Sequence, residues 1–346
     1  MFNEIKNKID LTLARYAGRI DKIYTLKKIS PVLSHYIKEY ICRQGKRVRS
    51  TLFVVSYQGY ARNPKPGLYS SALALELLHN FMLIHDDIID RSELRRGKPA
   101  MHTMLDRHLA GYRNLKFNGS DLGIVIADVI YAMSIDAFLE INENPRHKEA
   151  ALKKFAEAAI FTGSGEFIEM LAGAKPIDEI TIKEIYKIYD LKTAYYTFCS
   201  PLTIGALLAG APPDQISKLI EYGINVGRAF QINDDILDMF ATEIQTGKSA
   251  LTDIKESKKT LLIWQAFQKT SSSNRETMQR IFDKSRISRL DLEKIRSIVQ
   301  SSGSLAFARE QIKILVSRAL KAAAGLTMKK RYKKLLFAYP PHILRI

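Results

Sequence analysis

Leu73-Ala74-Leu75-Glu76-Leu77-Leu78-His79-Asn80-Phe81-Met82-Leu83-Ile84-His85-Asp86-Asp87-Ile88-Ile89-Asp90 is the stretch on which the fold turns. At a helical period Leu73, Leu77, Phe81, Ile84 and Ile88 fall on one stripe. Leu75, Leu78 and Met82 fall on the other side, so this helix is apolar almost all round. A helix of that kind belongs in the middle of a fold, with neighbours on every face. It ends in three carboxylates, which an apolar interior does not accept without compensation.

Outward from this segment, apolar residues recur at three- and four-residue steps almost throughout the chain. Breaks come at Asn63-Pro64-Lys65-Pro66-Gly67, Asn118-Gly119-Ser120, Asn144-Pro145, Ala174-Lys175-Pro176, Ala211-Pro212-Pro213 and Ser271-Ser272-Ser273-Asn274. Alternating strand patterns between Asn-Gly or Asp-Gly turns are absent, which argues against a sheet. No repeat, low-complexity tract or long linker divides the sequence. The pattern predicts an all-α fold, a single domain over residues 1–346, as a bundle of long helices around a deep central cavity.

A chain of 346 residues, 46% hydrophobic and 26% charged, has enough apolar material for a large core. Cys42 and Cys199 stand far apart without metal-ligand spacing, which argues against a disulfide framework and for a reducing compartment. The N-terminal residues lack the apolar core of a signal peptide, and no run reaches the roughly 18 uncharged apolar residues that span a bilayer. The expectation is a soluble, cytoplasmic protein. Its net charge of +17 bears on partners and not on fold. From Ser301 onward ten Lys or Arg face one acidic residue, Glu310, with the densest cluster at Lys329, Lys330, Arg331, Lys333 and Lys334. A solvated helix face and a peripheral membrane contact are both open readings of that segment. Nucleic acid is not expected, because no aromatic-basic interleaving or zinc-finger spacing accompanies the charge.

The three aspartates recur in Phe230-Gln231-Ile232-Asn233-Asp234-Asp235-Ile236-Leu237-Asp238. In each cluster the first and last carboxylates are four apart and share a helix face, with the middle one beside them. Their mutual repulsion on an apolar helix calls for a cation. Mg²⁺ takes oxygen ligands, often one or two carboxylates, and fills its remaining positions with water and substrate phosphate. One such cluster could cap a helix or meet surface cations; two matching ones point to a metal-bridged diphosphate. Basic residues stand around both. Lys46 and Arg49 are three apart after Gln44-Gly45, Arg95-Arg96-Gly97-Lys98 follows the first cluster, and Lys192-Thr193 opens another helical segment. Lys248 and Lys258 follow the second cluster. Arg offers phosphate a bidentate fork and Lys a point charge. His79, two turns before Asp86, reads on its own as a satisfied structural histidine.

Taken in order, G-K-R-x-R, H-x5-H-D-D-x2-D, R-R-G-K-P, K-T, F-Q-x2-D-D-x2-D, then G-K and D-I-x3-K, the sequence resembles the trans-type polyprenyl diphosphate synthases from about Lys38 to Thr260. The resemblance implies a prenyltransferase that condenses isopentenyl diphosphate with allylic diphosphates, working as a homodimer. It implies that Asp86, Asp87 and Asp90, with Asp234, Asp235 and Asp238, hold Mg²⁺, three ions per active site bridged by the diphosphate. Arg95, Lys192, Lys258 and Lys248 would contact the allylic diphosphate. Thr193 and Gln231 would turn oxygen dipoles toward the carbocation, and Lys46, Arg49, His79 and Arg96 would bind isopentenyl diphosphate. His79 then becomes a ligand.

Product length is read from the helix below the first cluster. Phe81 lies five residues before Asp86, about 7.5 Å along a helix axis, with Met82 one residue nearer. An aromatic at that position resembles the archaeal type of geranylgeranyl diphosphate synthase, which stops at twenty carbons. Farnesyl and longer products are the alternatives, and ordinary core is the bland reading of Phe81. Some positions depart from the family pattern. Gln44 and Ser50 flank the first basic motif, Ala127-Asp128 replaces Gly-Asp, Gly165-Glu166-Phe167-Ile168-Glu169 replaces Gly-Gln-x-x-Asp, and Leu262 replaces a proline. Pro340-Pro341 should interrupt a terminal helix. A class I terpene cyclase lacks the isopentenyl site, and a non-catalytic partner subunit usually loses one aspartate cluster. Both are secondary readings.

Overall fold

The computed structural model describes residues 1–240, 254, 256–284 and 286–344. The chain forms two compact units, Met1–Leu152 with Ile204–Gly210, and Lys153–Thr203 with Ala211–Ile346. In chain order the helices are α1 (Phe2–Tyr24), α2 (Leu26–Ile29), α3 (Pro31–Ile41), α4 (Val48–Tyr60), α5 (Leu68–Ile89), α6 (Met101–Leu109), α7 (Gly119–Leu139), α8 (Pro145–Ala174) and α9 (Ile182–Ile188). A π-helical stretch, Tyr189–Cys199, leads into α10 (Ser200–Leu208). Then come α11 (Pro213–Phe240), α12 (Leu261–Lys269), α13 (Ser272–Phe282), α14 (Arg289–Ser301), α15 (Ser304–Ala324) and α16 (Lys330–Leu344). The expected all-α architecture is the one observed.

The sequence breaks became helix starts. Pro145 and Pro213 open α8 and α11, where a missing N–H costs nothing. Asn118 accepts from the backbone of Ser120 and Asp121 while Asp121 caps back, a capping box that begins α7. Ser271 caps α13 through the backbone N–H of Asn274.

In the first unit α5 is the hub, packed along α7 and against α1, α3 and α4. Leu73, Leu75, Leu77 and Leu78 are all essentially inaccessible, although they occupy opposite sides of the helix. Each contributes about 1.5–3 kcal/mol of burial. The last turns open, with Phe81, Met82 and Leu83 half-buried ahead of the aspartates.

The second unit is organised on α11, which packs along α15 and the π-helical stretch. Gly223 and Gly227, one turn apart, make the second of these contacts possible. A Cβ on Gly227 would sit 2.4 Å from the Cα of Ala194, and one on Gly223 would sit 2.7 Å from the sulfur of Cys199. No side chain fits at either position.

Two expectations need correction. A two-residue antiparallel pair, β1 (Leu94–Arg95) and β2 (Lys98–Pro99), follows α5. Arg96 (φ 56°) and Gly97 (φ 72°) form its turn, both in the left-handed conformation of a type I′ hairpin. The expected interruption at Pro340-Pro341 does not occur, since α16 runs through to Leu344. Pro340 cannot donate to the carbonyl of Leu336, but the buried Tyr222 hydroxyl of α11 does so at 2.8 Å. A side chain supplies the hydrogen bond that proline removes.

Candidate active site

The first cluster occupies the last turn of α5. Asp87 is fully buried, while Asp86 and Asp90 are partly accessible. One Asp87 oxygen accepts from Arg95 Nε at 2.7 Å, and the other accepts from the Tyr40 hydroxyl at 3.3 Å. Arg95 also reaches Asp86 Oδ2 at 2.9 Å. The hairpin delivers Arg95 to this place, since its strand directly follows the aspartates. The two shifts of this pair point opposite ways: burial pushes the Asp87 carboxyl up, while Asp87 and Asp86 raise Arg95. The contact geometry decides for an ionised pair, and the upward push on Asp87 comes from burying it. Asp86 and Asp90 each offer an oxygen, and these lie within 4.8 Å of one another.

Beside this cluster the hairpin turn directs Arg96 over the loop before α4. Its guanidinium lies 3.1–3.2 Å from where a Cβ of Gly45 would be, and it donates to the Arg43 carbonyl at 3.4 Å. His79 lies within the field of Arg49, Arg96, Arg95 and Arg47. Its burial and then these guanidinium groups hold its pKa well below the usual value, so the ring is neutral. Arg96 is likewise lowered, by burial and by Arg47 and Arg49. Such a concentration of positive charge favours an anionic ligand. Lys46 at its edge is exposed. Arg47 is a structural member, buried against Glu76 at 3.1 Å and Asp10 at 2.7 Å. Ser50, the residue in place of proline, lies 2.6 Å from the Ala72 carbonyl and 3.1 Å from Glu76.

The second cluster, on α11, repeats the arrangement. Asp235 is buried, Asp238 is partly accessible and Asp234 is exposed. The Tyr189 hydroxyl donates to one Asp235 oxygen, and Gln231 Nε2 donates to the other at 2.9 Å. Gln231 Oε1 in turn accepts from Thr193 at 2.6 Å, which fixes its amide orientation. Thr193 and Tyr189 belong to the π-helical stretch, a departure from α-geometry often found at functional sites. Burial, helped by Asp234 and Glu169, pushes Asp235 up to about 7 against the hydrogen bonds from Tyr189 and Gln231. Lys192 lies between Glu166 and Glu169, 2.6 Å from each.

A family profile described as polyprenyl synthetase matches residues 30–299. The chain belongs to the polyprenyl synthetase family. It is a prenyltransferase, a short-chain prenyl diphosphate synthase. It is 29% identical over 316 residues to a geranylgeranyl diphosphate synthase of Saccharolobus solfataricus, covering 90% of this chain and 86% of that one. It is 33% identical over 251 residues to a geranylfarnesyl diphosphate synthase of Aeropyrum pernix, covering 72% and 73%. In fold it is similar to a geranylgeranyl pyrophosphate synthase of Corynebacterium glutamicum complexed with isoprenyl diphosphate and magnesium. That match has a TM-score of 0.85 at 22% identity and covers 97% of this chain and 98% of that chain.

Within this polyprenyl synthetase site, the structure groups Asp86, Asp87, Asp90 and Arg95, and places Arg96 among the cations around His79. It groups Lys192, Thr193, Gln231 and Asp235 likewise. Lys258 pairs with Glu256 at 2.5 Å. Lys248 lies outside the described residues. Phe81 stacks edge-on against His85, with centroids 4.8 Å apart, and lies tilted against Tyr131 of α7 at 4.9 Å. Sequence reasoning missed Tyr40, Tyr189 and Tyr131, which no local pattern marks. It noted Glu166 and Glu169 as departures without assigning them to the site; their spacing of three, one helical turn, was the available signal.

Proposed function

We propose that this synthase makes geranylgeranyl diphosphate by condensing isopentenyl diphosphate with allylic diphosphates. The observation that carries the product length is Phe81, half-buried below Asp86 with its ring against Tyr131. Two aromatic rings stacked below the aspartates would put a floor under a growing isoprenoid chain. Mass-resolved product analysis with dimethylallyl, geranyl and farnesyl primers tests the reading. A twenty-carbon diphosphate from all three supports it; a dominant fifteen- or twenty-five-carbon product refutes it.

The reaction breaks the allylic C–O bond, joins the resulting cation to the double bond of isopentenyl diphosphate, and loses a proton to the released diphosphate. Asp86 and Asp90 on α5, and Asp234 and Asp238 on α11, are oxygen donors that would suit Mg²⁺, each pair backed on its own helix by a buried aspartate, Asp87 or Asp235. When bound, Mg²⁺ supplies positive charge against the departing diphosphate. Arg95, Lys192, Lys258 and Lys248 hold the same diphosphate. Lys46, Arg49 and Arg96 hold isopentenyl diphosphate, and neutral His79 donates one N–H to it. Thr193 and Gln231, locked to each other, keep Asp235 placed. Water must be kept from the cation, which it would otherwise quench to an alcohol.

The homodimer is proposed to form through α7, whose Ile124, Val125 and Leu139 are 39%, 57% and 45% exposed. By length and composition α7 would cross a membrane, yet it carries Asp121, Asp128 and Asp136. Light scattering should give twice the chain mass, and Val125→Glu should shift it toward monomer. Free Cys42 and Cys199 support the proposed cytoplasmic location, which cell fractionation checks.

A further inference from the structure

The basic C-terminal segment is not explained by the prenyl transfer site. In the structure α16 buries Leu336, Tyr339, Ile343 and Leu344 against the second unit. Its other face presents Lys330, Arg331, Lys334 and Phe337 to solvent, with Phe337 38% exposed. No acidic residue occurs anywhere in the helix. Between the end of α15 and the start of α16 is a recess of about 430 Å³, lined by Lys330, Lys333, Lys334, Thr327 and Phe337, among others.

This recess is held in shape. Lys333 Nζ donates to the carbonyls of Ala324 and Leu326 at 2.6 and 2.8 Å, tying α16 to the end of α15. The backbone N–H of Thr327 donates to Gln215 Oε1 at 2.7 Å, fixing the connecting loop to α11. The result is a concave, cationic surface with one aromatic ring at its edge. Lys330 and Lys334, which line the recess beside the tied Lys333, suit a phosphate group. An exposed Phe one turn beyond Lys334 suits the acyl boundary above that phosphate, while the lysine stems lie along it. A purely electrostatic partner such as duplex DNA would leave Phe337 without a role.

We propose that the α16 face docks on an anionic phospholipid bilayer, with a headgroup phosphate in the recess and Phe337 entering the interface. Each cation near such a surface strengthens attraction roughly fivefold, so a handful gives reversible, salt-sensitive attachment.

Flotation of the full chain with vesicles tests this. The vesicles are phosphatidylcholine alone, or phosphatidylcholine with about a third phosphatidylglycerol, where the surface carries the charge on which the attraction depends. The expected result is binding to anionic vesicles only, declining with salt. The double variant Lys330→Ala, Lys334→Ala should bind at least tenfold less. Phe337→Ser should bind several-fold less while keeping the salt dependence. Thermal melts establish that each variant is folded. Equal binding to both vesicle types, no binding, or undiminished binding by folded double variant overturns the proposal. So does loss of duplex DNA binding in that variant when wild type ignores vesicles. Turnover of soluble substrates is measured alongside, so failure here leaves the assigned reaction standing.

Discussion

The two aspartate clusters share a spacing and a geometry but differ in how the middle carboxylate is compensated. In each, the inner aspartate is buried and accepts from a tyrosine hydroxyl far upstream, Tyr40 for Asp87 and Tyr189 for Asp235. The first cluster then adds a full positive charge, Arg95, from the adjoining hairpin. The second adds only the neutral amide of Gln231. Burial pushes both inner carboxyls up, but Asp87 meets a full positive charge from the protein itself, whereas Asp235, raised to about 7, has only neutral donors. The first cluster is preformed. The second depends on what it binds.

The largest test of this difference removes the compensating group. Arg95→Met strands Asp87 and should cost about 3–5 kcal/mol in chemical denaturation, with turnover reduced by orders of magnitude. Gln231→Leu, the matching change in the second cluster, should cost only about 1–3 kcal/mol, because Tyr189 remains. Equal costs would erase the distinction. Adding Asp87→Leu to Arg95→Met should recover most of the lost stability without restoring activity.

Product length should separate the clusters next. Phe81→Ala is expected to shift the main product by at least one isoprene unit, read by mass spectrometry. The corresponding position before Asp234 is already small, Ala229, and fully buried. Ala229→Ser should leave product length alone.

The clusters should also differ in their response to pH. Asp235 is raised from 3.8 to about 7, so between those values the folded state holds a proton the unfolded chain has released. Metal-free protein should lose stability as pH rises through that window, since the unfolded state binds fewer protons there. Asp235→Asn should flatten the slope, and saturating Mg²⁺ should do the same. A slope unchanged in Asp235→Asn would show that Asp235 does not titrate there.

Smaller effects are expected at two supports within the second unit. Tyr222→Phe leaves the Leu336 carbonyl without its donor and should cost about 1–3 kcal/mol in stability. Glu166→Gln leaves Lys192 with Glu169 alone and should tighten pyrophosphate binding a few-fold in calorimetry.

Much of this was legible in the chain. The all-round apolar run ending at Asp86 gave the buried central helix, and proline and Asn-Gly-Ser breaks marked true helix starts. The aspartates and surrounding cations could be picked out because charge in an apolar setting needs a local reason. What could not be read was the ranking within each cluster. Helical spacing puts Asp86, Asp87 and Asp90 side by side, but only packing from Tyr40 and Arg95 decides that Asp87 is interior. The continuation through Pro340 was hidden for the same reason, because its rescue comes from Tyr222 on another helix. The hairpin at Arg96-Gly97 was too short to leave an alternating pattern.

The glycine pair on α11 affects how any mutational scan of this enzyme should be interpreted. Gly223 and Gly227 carry no functional group and supply no charge, yet even alanine at Gly227 would drive a methyl into the backbone at Ala194. Such a scan would rank these glycines beside Gln231 and Asp235 as intolerant. Activity alone would then credit chemistry to positions whose only contribution is empty space. Temperature separates the two classes. A glycine variant should fail through unfolding and recover partly in the cold, while a variant that lost Asp234 should stay folded and inactive at every temperature.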